Sequence, residues 1–253
     1  MDPPPVNRAL SFGRGAASYD RVRPDYSPDA LDLVTERLGL GTDAEVLDLA
    51  AGTGKLTRPL VERFARVTAV EPDAGMRAVL GQLTDCHLVL EGRAEAIPLR
   101  DQSVDVVFVG QAWHWFDKDR ALVEIARVLR PQGGVVLLWN IWWKTDPPVP
   151  EAAGKLIEDV LDRARRQPIG VKEPDRSAFF VSMGYEPVRV EDVPPRTLDI
   201  SGDDFVTLLF STSPFGILAP DGSESVEAEL RRLIAGSYRL PVRTELEWSR
   251  LAK

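Results

Sequence analysis

The chain has 253 residues, a net charge of −8, 44% hydrophobic and 28% charged residues, which predicts a packed core in one large domain or one domain with an elaborated end. The acidic balance, with no run of lysines and arginines, argues against a nucleic-acid partner held through phosphates, and the single cysteine, Cys86, rules out an intrachain disulfide. No apolar run approaches a membrane span and no signal-peptide pattern opens the chain, so a cytoplasmic protein is expected, monomer or homodimer, without membrane contact.

Residues 1–11 include Pro3-Pro4-Pro5 and carry no periodicity, the pattern of a mobile arm. Residues 12–26 hold arginines and aromatics; they form either a surface tail or a cover over a site, with Tyr19 and Tyr26 as the covering rings. Ser27-Pro28-Asp29 starts a helix, with Leu31, Val34 and Leu38 inward and Gly39 at its end. A strand follows at 45–49. The next helix turns Leu56, Leu60 and Phe64 inward, with Pro59 in its opening turns. Further strands are expected at 67–71, 87–90, 104–109 and 135–139. Between them lie a short helix from Asp73 to about Gln82 and a longer one from about Asp117 to Leu129, then a turn at 130–134. Alternation of this kind predicts a doubly wound, mostly parallel sheet. Beyond a break at Pro147–Pro150, helices are expected at 152–166, 177–183, 202–212 and 223–237, and strands at 185–190 and 242–248. They are read as the last two strands of the sheet plus an inserted helical cap.

The stretch Val46-Leu47-Asp48-Leu49-Ala50-Ala51-Gly52-Thr53-Gly54 organises the rest. An apolar strand runs into a loop whose glycines permit a sharp turn and close approach of a ligand. The free amides of the following helix point at that ligand. Glu71 stands at the end of the second strand, where a carboxylate can accept two hydrogen bonds from a ribose diol. The segment after the third strand, Glu91 to Leu99, reaches the same edge, where backbone amides and a carboxylate can read an adenine.

Together with Ala69-Val70-Glu71-Pro72, Ala94-Glu95-Ala96-Ile97-Pro98-Leu99, Ser103-Val104-Asp105-Val106-Val107 and Arg127-Val128-Leu129-Arg130-Pro131-Gln132-Gly133-Gly134, this stretch resembles the class I S-adenosylmethionine-dependent methyltransferases, of the small-molecule branch with a type 11 domain. Each motif is weak alone; five in register, across residues 45–140, are specific. The resemblance implies a seven-stranded Rossmann-like sheet with an antiparallel last strand, and S-adenosylmethionine as cofactor with S-adenosylhomocysteine as product. By position it implies that Ala50, Gly52 and Gly54 pass the methionine and ribose, that Asp48 supports the loop and helps hold the ammonium, and that Glu71 binds the ribose. Pro72 and Met76 would flank adenine, Ala94 and Glu95 would meet its polar edge, and Gly110 and Gln111 would lie beside the methionine moiety. Ala50 stands where the family often has its first glycine, and Arg93 where many relatives have an adenine-binding aspartate. The implied organisation is an arm or lid at 1–26, a cofactor-binding core at 27–145, and the last strands with an inserted substrate cap at 146–253.

Methyl transfer from a sulfonium asks mainly for alignment in a dry pocket, and for a base only when the acceptor must lose a proton. Trp113, Trp115, Trp142 and Trp143 fall after the fourth and fifth strands and are the candidate walls of an acceptor pocket, with Tyr19 and Tyr26; Trp139 reads as a core residue. His114 is the candidate catalytic base, with an orienting or purely structural role as the alternatives. The acceptor is expected to be a small molecule, and no metal is expected. A protein or RNA acceptor and a non-catalytic cofactor-binding protein remain as alternatives; a nicotinamide dehydrogenase would place a third glycine where Thr57 stands.

Overall fold

The computed structural model describes residues 16–142, 144–166, 175–216 and 220–252. After helix α1 (Ala16–Val22) and helix α2 (Pro28–Leu38), strands and helices alternate as β1 (Glu45–Leu49), α3 (Thr57–Val61), β2 (Arg66–Val70), α4 (Ala74–Leu83), β3 (Leu88–Leu90), β4 (Val104–Gly110), α5 (Lys118–Val128) and β5 (Leu129–Ile141). Then come α6 (Glu151–Arg166), α7 (Arg176–Ser182), β6 (Arg189–Glu191), β7 (Arg196–Ser201), α8 (Gly202–Phe210), α9 (Ser213–Gly216), α10 (Pro220–Leu233) and β8 (Ser237–Arg250).

The sheet order is β3-β2-β1-β4-β5-β8-β6. β1 to β5 pair in parallel, while β8 runs antiparallel to β5 and β6. This is the doubly wound, mostly parallel arrangement expected, and its order reverses between β1 and β4. Ligands of such sheets bind outside the strand carboxyl ends at that reversal, where the glycine loop lies. Both faces are covered, which is why β1 and β4 read as nearly continuous apolar runs. One face packs Leu47, Leu49, Val107 and Val135 against Leu122 and Ile125 of α5 and Phe180 of α7. The other packs Val46, Val106, Phe108 and Val136 against Leu31 and Val34 of α2 and Leu60 of α3. A third apolar cluster joins Val22, Trp142, Val160 of α6, Phe205 and Leu209 of α8 and Leu230 of α10 to Leu240 and Val242 of β8.

Several elements differ from the sequence expectation. α3 is a five-residue helix, although Leu56, Leu60 and Phe64 are buried as the periodicity requires. Ser27 precedes α2 without a capping side-chain bond, and Gly39 closes it at φ 63°, donating to the Glu36 and Thr35 carbonyls. The turn at 130–134 is an excursion inside β5: between the pairs Val104↔Leu129 and Val106↔Gly134, β5 runs five residues while β4 runs two. β8 is fourteen residues long, and its first half pairs with β7, a strand the sequence reading did not place. The carboxyl part of the chain therefore adds three strands, not two.

Candidate active site

The glycine loop is shaped by backbone that turns left-handed at Ala50 (φ 60°), Gly52 (φ 59°) and Gly54 (φ 87°). A β-carbon at Gly54 would stand 3.1 Å from Thr84 Cγ2, whereas one at Gly52 would meet nothing within 4 Å, so the loop is open above Gly52. Ala50 carries a β-carbon in a conformation that favours glycine.

Glu71 holds this loop. Its Oε2 accepts the Gly52 amide at 2.9 Å and its Oε1 accepts the Asp73 amide at 2.9 Å. Asp73 caps α4 by accepting the Met76 amide. Burial pushes the Glu71 carboxyl up from its ordinary value, and the two amides oppose that. A carboxylate has about four acceptor positions, so each oxygen keeps capacity for a ligand hydroxyl.

Asp48 lies on β1 beneath the loop, 1% exposed. Its Oδ2 accepts the Thr57 hydroxyl at 2.6 Å, while Oδ1 is buried with no hydrogen-bond partner among the described residues. Desolvation pushes its carboxyl up to about 7, with the Thr57 bond opposing and Glu71 adding to the rise. Met76 and Ala94 are buried and Pro72 is partly buried. Glu95 is engaged within the protein: its Oε1 accepts the Asp117 amide at the start of α5. The loop after β3 is fixed further by Glu124 and Arg127 of α5, which bond the amide and carbonyl of Ile97.

The segment before α2 crosses this edge of the sheet. Asp20 of α1 accepts from Thr53 Oγ1 at 2.8 Å and from Arg58 Nη2 at 2.9 Å, which seats α1 on the glycine loop. Asp25 pairs with Lys55 at 2.8 Å. The Pro24 and Asp25 carbonyls accept from Asn140 Nδ2 at the end of β5, and Asn140 Oδ1 accepts the Thr244 hydroxyl. Tyr26 is buried with its phenol over Gly110, where any β-carbon would collide with the Tyr26 hydroxyl. Burial foremost, then Tyr19 and Asp48, pushes that phenol well above its ordinary value. Arg23 lies over the rings of Tyr19 (4.8 Å) and Trp142 (5.8 Å) and donates to Ser211 after α8. α1 therefore bridges the glycine loop and the carboxyl-terminal helices.

Two of the tryptophans expected in the acceptor wall, Trp113 and Trp142, lie in the core instead. Trp113 is 1% exposed and packs against Phe116 and Phe180 in the core, so its indole is spent on packing. Trp142 is likewise a core residue of the helical layer. Trp143 lies outside the described residues. Trp139, read as core, is partly buried, with the Arg176 guanidinium 4.7 Å over its ring. His114 is exposed in a 3-10 turn (Trp113–Trp115), its ring 4.7 Å from the partly buried Trp115 ring. Gln111 adopts φ 56° and donates its side-chain amide to the Asn140 carbonyl at 2.8 Å, joining the ends of β4 and β5. Asn140, Asp20 and Arg58 escaped the sequence reading; a lone asparagine closing an apolar strand was the one available signal.

Among the described residues no group of three or more metal-ligating side chains occurs, and no helix is long and apolar enough to cross a membrane.

Residues 47–137 match the family described as methyltransferase domain. An uncharacterized methyltransferase of Mycobacterium tuberculosis is 50% identical over 132 residues, 52% of this chain and 53% of that protein, so the match spans about half the length of that relative. An uncharacterized methyltransferase of Schizosaccharomyces pombe is 32% identical over 228 residues, 88% of this chain and 87% of its own. A malonyl-[acyl-carrier protein] O-methyltransferase of Serratia marcescens is 37% identical over 133 residues, 51% of this chain and 50% of its own. Among solved structures, Haemonchus contortus phosphoethanolamine N-methyltransferase 2 in complex with S-adenosyl-L-methionine shares the fold, with a TM-score of 0.58 and 16% identity over 98% of this chain and 59% of that one. With most of the Schizosaccharomyces pombe relative's length matched and this sheet order, the chain belongs to the class I S-adenosylmethionine-dependent methyltransferases.

Proposed function

We propose that this protein binds S-adenosylmethionine at the glycine loop and transfers its methyl group to a small-molecule acceptor. The observation that supports this best is Asp48 Oδ1, a buried carboxylate oxygen without a partner, beneath a loop that is open above Gly52. A buried acceptor of this kind is costly unless a ligand donor meets it, and the cofactor's ammonium is such a donor.

When bound, the cofactor supplies a methyl group already activated on a sulfonium. The protein's part is to hold, align and dry the site. Asp48 accepts from the ammonium. Glu71, fixed by two amides, accepts the ribose hydroxyls with its remaining lone pairs. Gly52 and Gly54 let the backbone approach, Ala50 shapes the turn before them, and Gly110 with Gln111 borders the methionine. Pro72 and Met76 flank adenine, and the Ala94 amide meets its polar edge. Glu95 contributes there by fixing the loop to α5. Residues 1–26 act as the lid, 27–145 hold the cofactor, and 146–253 complete the sheet and cover the acceptor. Tyr19, Tyr26 and Trp115 are the aromatic contacts for the acceptor. His114, outward beside Trp115, removes a proton from the acceptor or orients it.

The Serratia relative's name favours a second reading, in which the acceptor is a carboxylate carried on an acyl-carrier protein. Calorimetric titration with S-adenosylhomocysteine and, separately, NAD tests the cofactor: saturable binding of the first alone is expected, and no binding at millimolar ligand refutes it. Labelled methyl transfer to a panel of free metabolites and to malonyl-carrier protein tests the acceptor; label on the carrier protein alone refutes the small-molecule reading.

A further inference from the structure

Arg196, the first residue of β7, has its Nε and Nη2 buried without hydrogen-bond partners, and it makes no ion pair among the described residues. The placement follows from the strand pattern. Along β7, Arg196, Leu198 and Ile200 are partly buried while Thr197, Asp199 and Ser201 are exposed. Arg196 pairs with Val242, and directly paired residues share a face. Two residues on, Thr244 is on that same face and donates to Asn140, which holds Pro24 and Asp25. On β4, Gly110 under Tyr26 pairs with Leu138, two residues from Asn140 on the same face. Arg196 therefore lies three strand spacings, roughly 14 Å, across the sheet from β4 and about four residues along the strands from Gly110, on the face that carries Thr244 and Asn140. That is too far for the methionine end of a cofactor at β1, and it suits the far end of an acceptor lying over β4 and β5.

A guanidinium with two of its three nitrogens buried and unmatched is a costly arrangement in a folded chain. The acid whose charge acts on it is Asp25, whose carboxylate is largely exposed and already paired with Lys55. The fork of Arg196 matches a planar carboxylate, which takes two N–H donors at once.

We propose that Arg196 anchors a carboxylate group of the methyl acceptor, so that the substrate is an organic acid. This rests on the methyltransferase reading above and names its acceptor class.

The probes are acetate, succinate, citrate and benzoate, each beside its neutral amide, added to protein saturated with S-adenosylhomocysteine. At least one acid is expected to raise the melting temperature where its amide does not, and with S-adenosylmethionine to be methylated or to compete with the methylated acceptor. Arg196→Leu is expected to weaken the effective acid roughly 10- to 100-fold, the loss of a charge-assisted pair, with S-adenosylhomocysteine affinity unchanged. Without acid the variant should melt at or above the parent, since it removes an uncompensated charge. Arg196→Lys should recover part of the acid affinity; should the Leu variant fail to fold, Arg196→Gln carries the same comparison. Acids that stabilise parent and variant alike, or no better than their amides, overturn the proposal, as does a large loss of stability in both neutral variants without ligand. Absence of S-adenosylhomocysteine binding in the parent instead refutes the underlying reading. Free acids and malonyl-carrier protein, assayed side by side, separate the two sources of the carboxylate.

Discussion

Replacing Asp48 by Asn tests the centre of the site without enlarging it. Asp48 is 1% exposed, and burial raises its carboxyl from 3.8 to about 7. Between these values the folded chain binds a proton that the unfolded chain has released. Stability therefore falls as pH rises through this window and is constant on either side of it. Each tenfold change in proton affinity is worth about 1.4 kcal/mol, so the carboxylate costs the ligand-free fold about 4 kcal/mol at pH 8 relative to pH 4. Asn keeps the shape and can still accept the Thr57 hydroxyl, but it has no charge to desolvate. Urea unfolding of both proteins from pH 4.5 to 8.5 should show the variant gaining on the parent by about 3–4 kcal/mol across that range. S-adenosylhomocysteine should reverse the preference, because the ammonium needs the carboxylate. At pH 6 its binding should release protons from the parent, seen by calorimetry in buffers of different ionisation enthalpy, and none through this group in the variant. A stability difference independent of pH would refute the assignment of the raised carboxyl to Asp48. Equal proton release in both proteins would refute the ammonium contact.

Glu71→Ala removes the acceptor for the Gly52 and Asp73 amides and should cost about 2–3 kcal/mol of stability, with S-adenosylhomocysteine affinity falling at least tenfold by calorimetry; unchanged affinity would exclude Glu71 from the ribose. Asn140→Leu frees the Pro24 and Asp25 carbonyls and should cost about 2 kcal/mol, while amide exchange of residues 19–26 accelerates more than that of β1; uniform acceleration would mean that Asn140 merely supports the core. His114→Ala should lower turnover roughly 100-fold with cofactor affinity kept if the imidazole is a base, and His114→Gln restores turnover only if its role is orientation. Wild-type turnover in the Ala variant would remove His114 from the chemistry.

The parallel half of the sheet was legible because its signals are local. Buried strands read as apolar runs, and Gly52 and Gly54 mark a loop where the chain turns left-handed. The last strands were harder. Residues 196–200 alternate, but the run is short and follows Pro194-Pro195, and Pro241 interrupts the pattern of β8. Pro241 is tolerated at an exposed position opposite Thr197 of the flanking β7. The tryptophans show a different failure. Position after a strand predicts which edge of the sheet a residue reaches, but not which way it faces there. The 3-10 turn at 113–115 drives Trp113 into the core and turns His114 outward. Glu95 lies on the loop after β3, and one of its carboxylate oxygens also accepts the Asp117 amide, a bond that depends on where α5 begins.

The two halves of the segment before α2 are held by unlike forces, and this bears on how a ligand enters. Residues 19–23 are fastened by Asp20 to Thr53 and Arg58, by Arg21 to Asp204 and by Arg23 to Ser211. The Arg21 pair is largely exposed and the Asp20 pair partly so; such pairs contribute about 0–1 kcal/mol each and weaken with salt. Residues 24–26 are fastened by the buried Asn140 amide and by the Tyr26 ring over Gly110. Breaking those bonds leaves an amide unsatisfied in the interior and removes a large apolar ring from its seat, several kcal/mol together. Lifting α1 also exposes Val22, which is buried beside Trp142, at about 1.5–3 kcal/mol. That is still less than freeing the Tyr26 ring and the Asn140 amide together, so on the proposed lid reading α1 lifts alone and the chain bends between Arg23 and Pro24. Pro24 suits that junction, because it fixes the backbone that follows without needing an amide bond of its own. On that reading Tyr26 would stay seated on Gly110 while Tyr19 left and returned with α1, giving the two tyrosines separate duties.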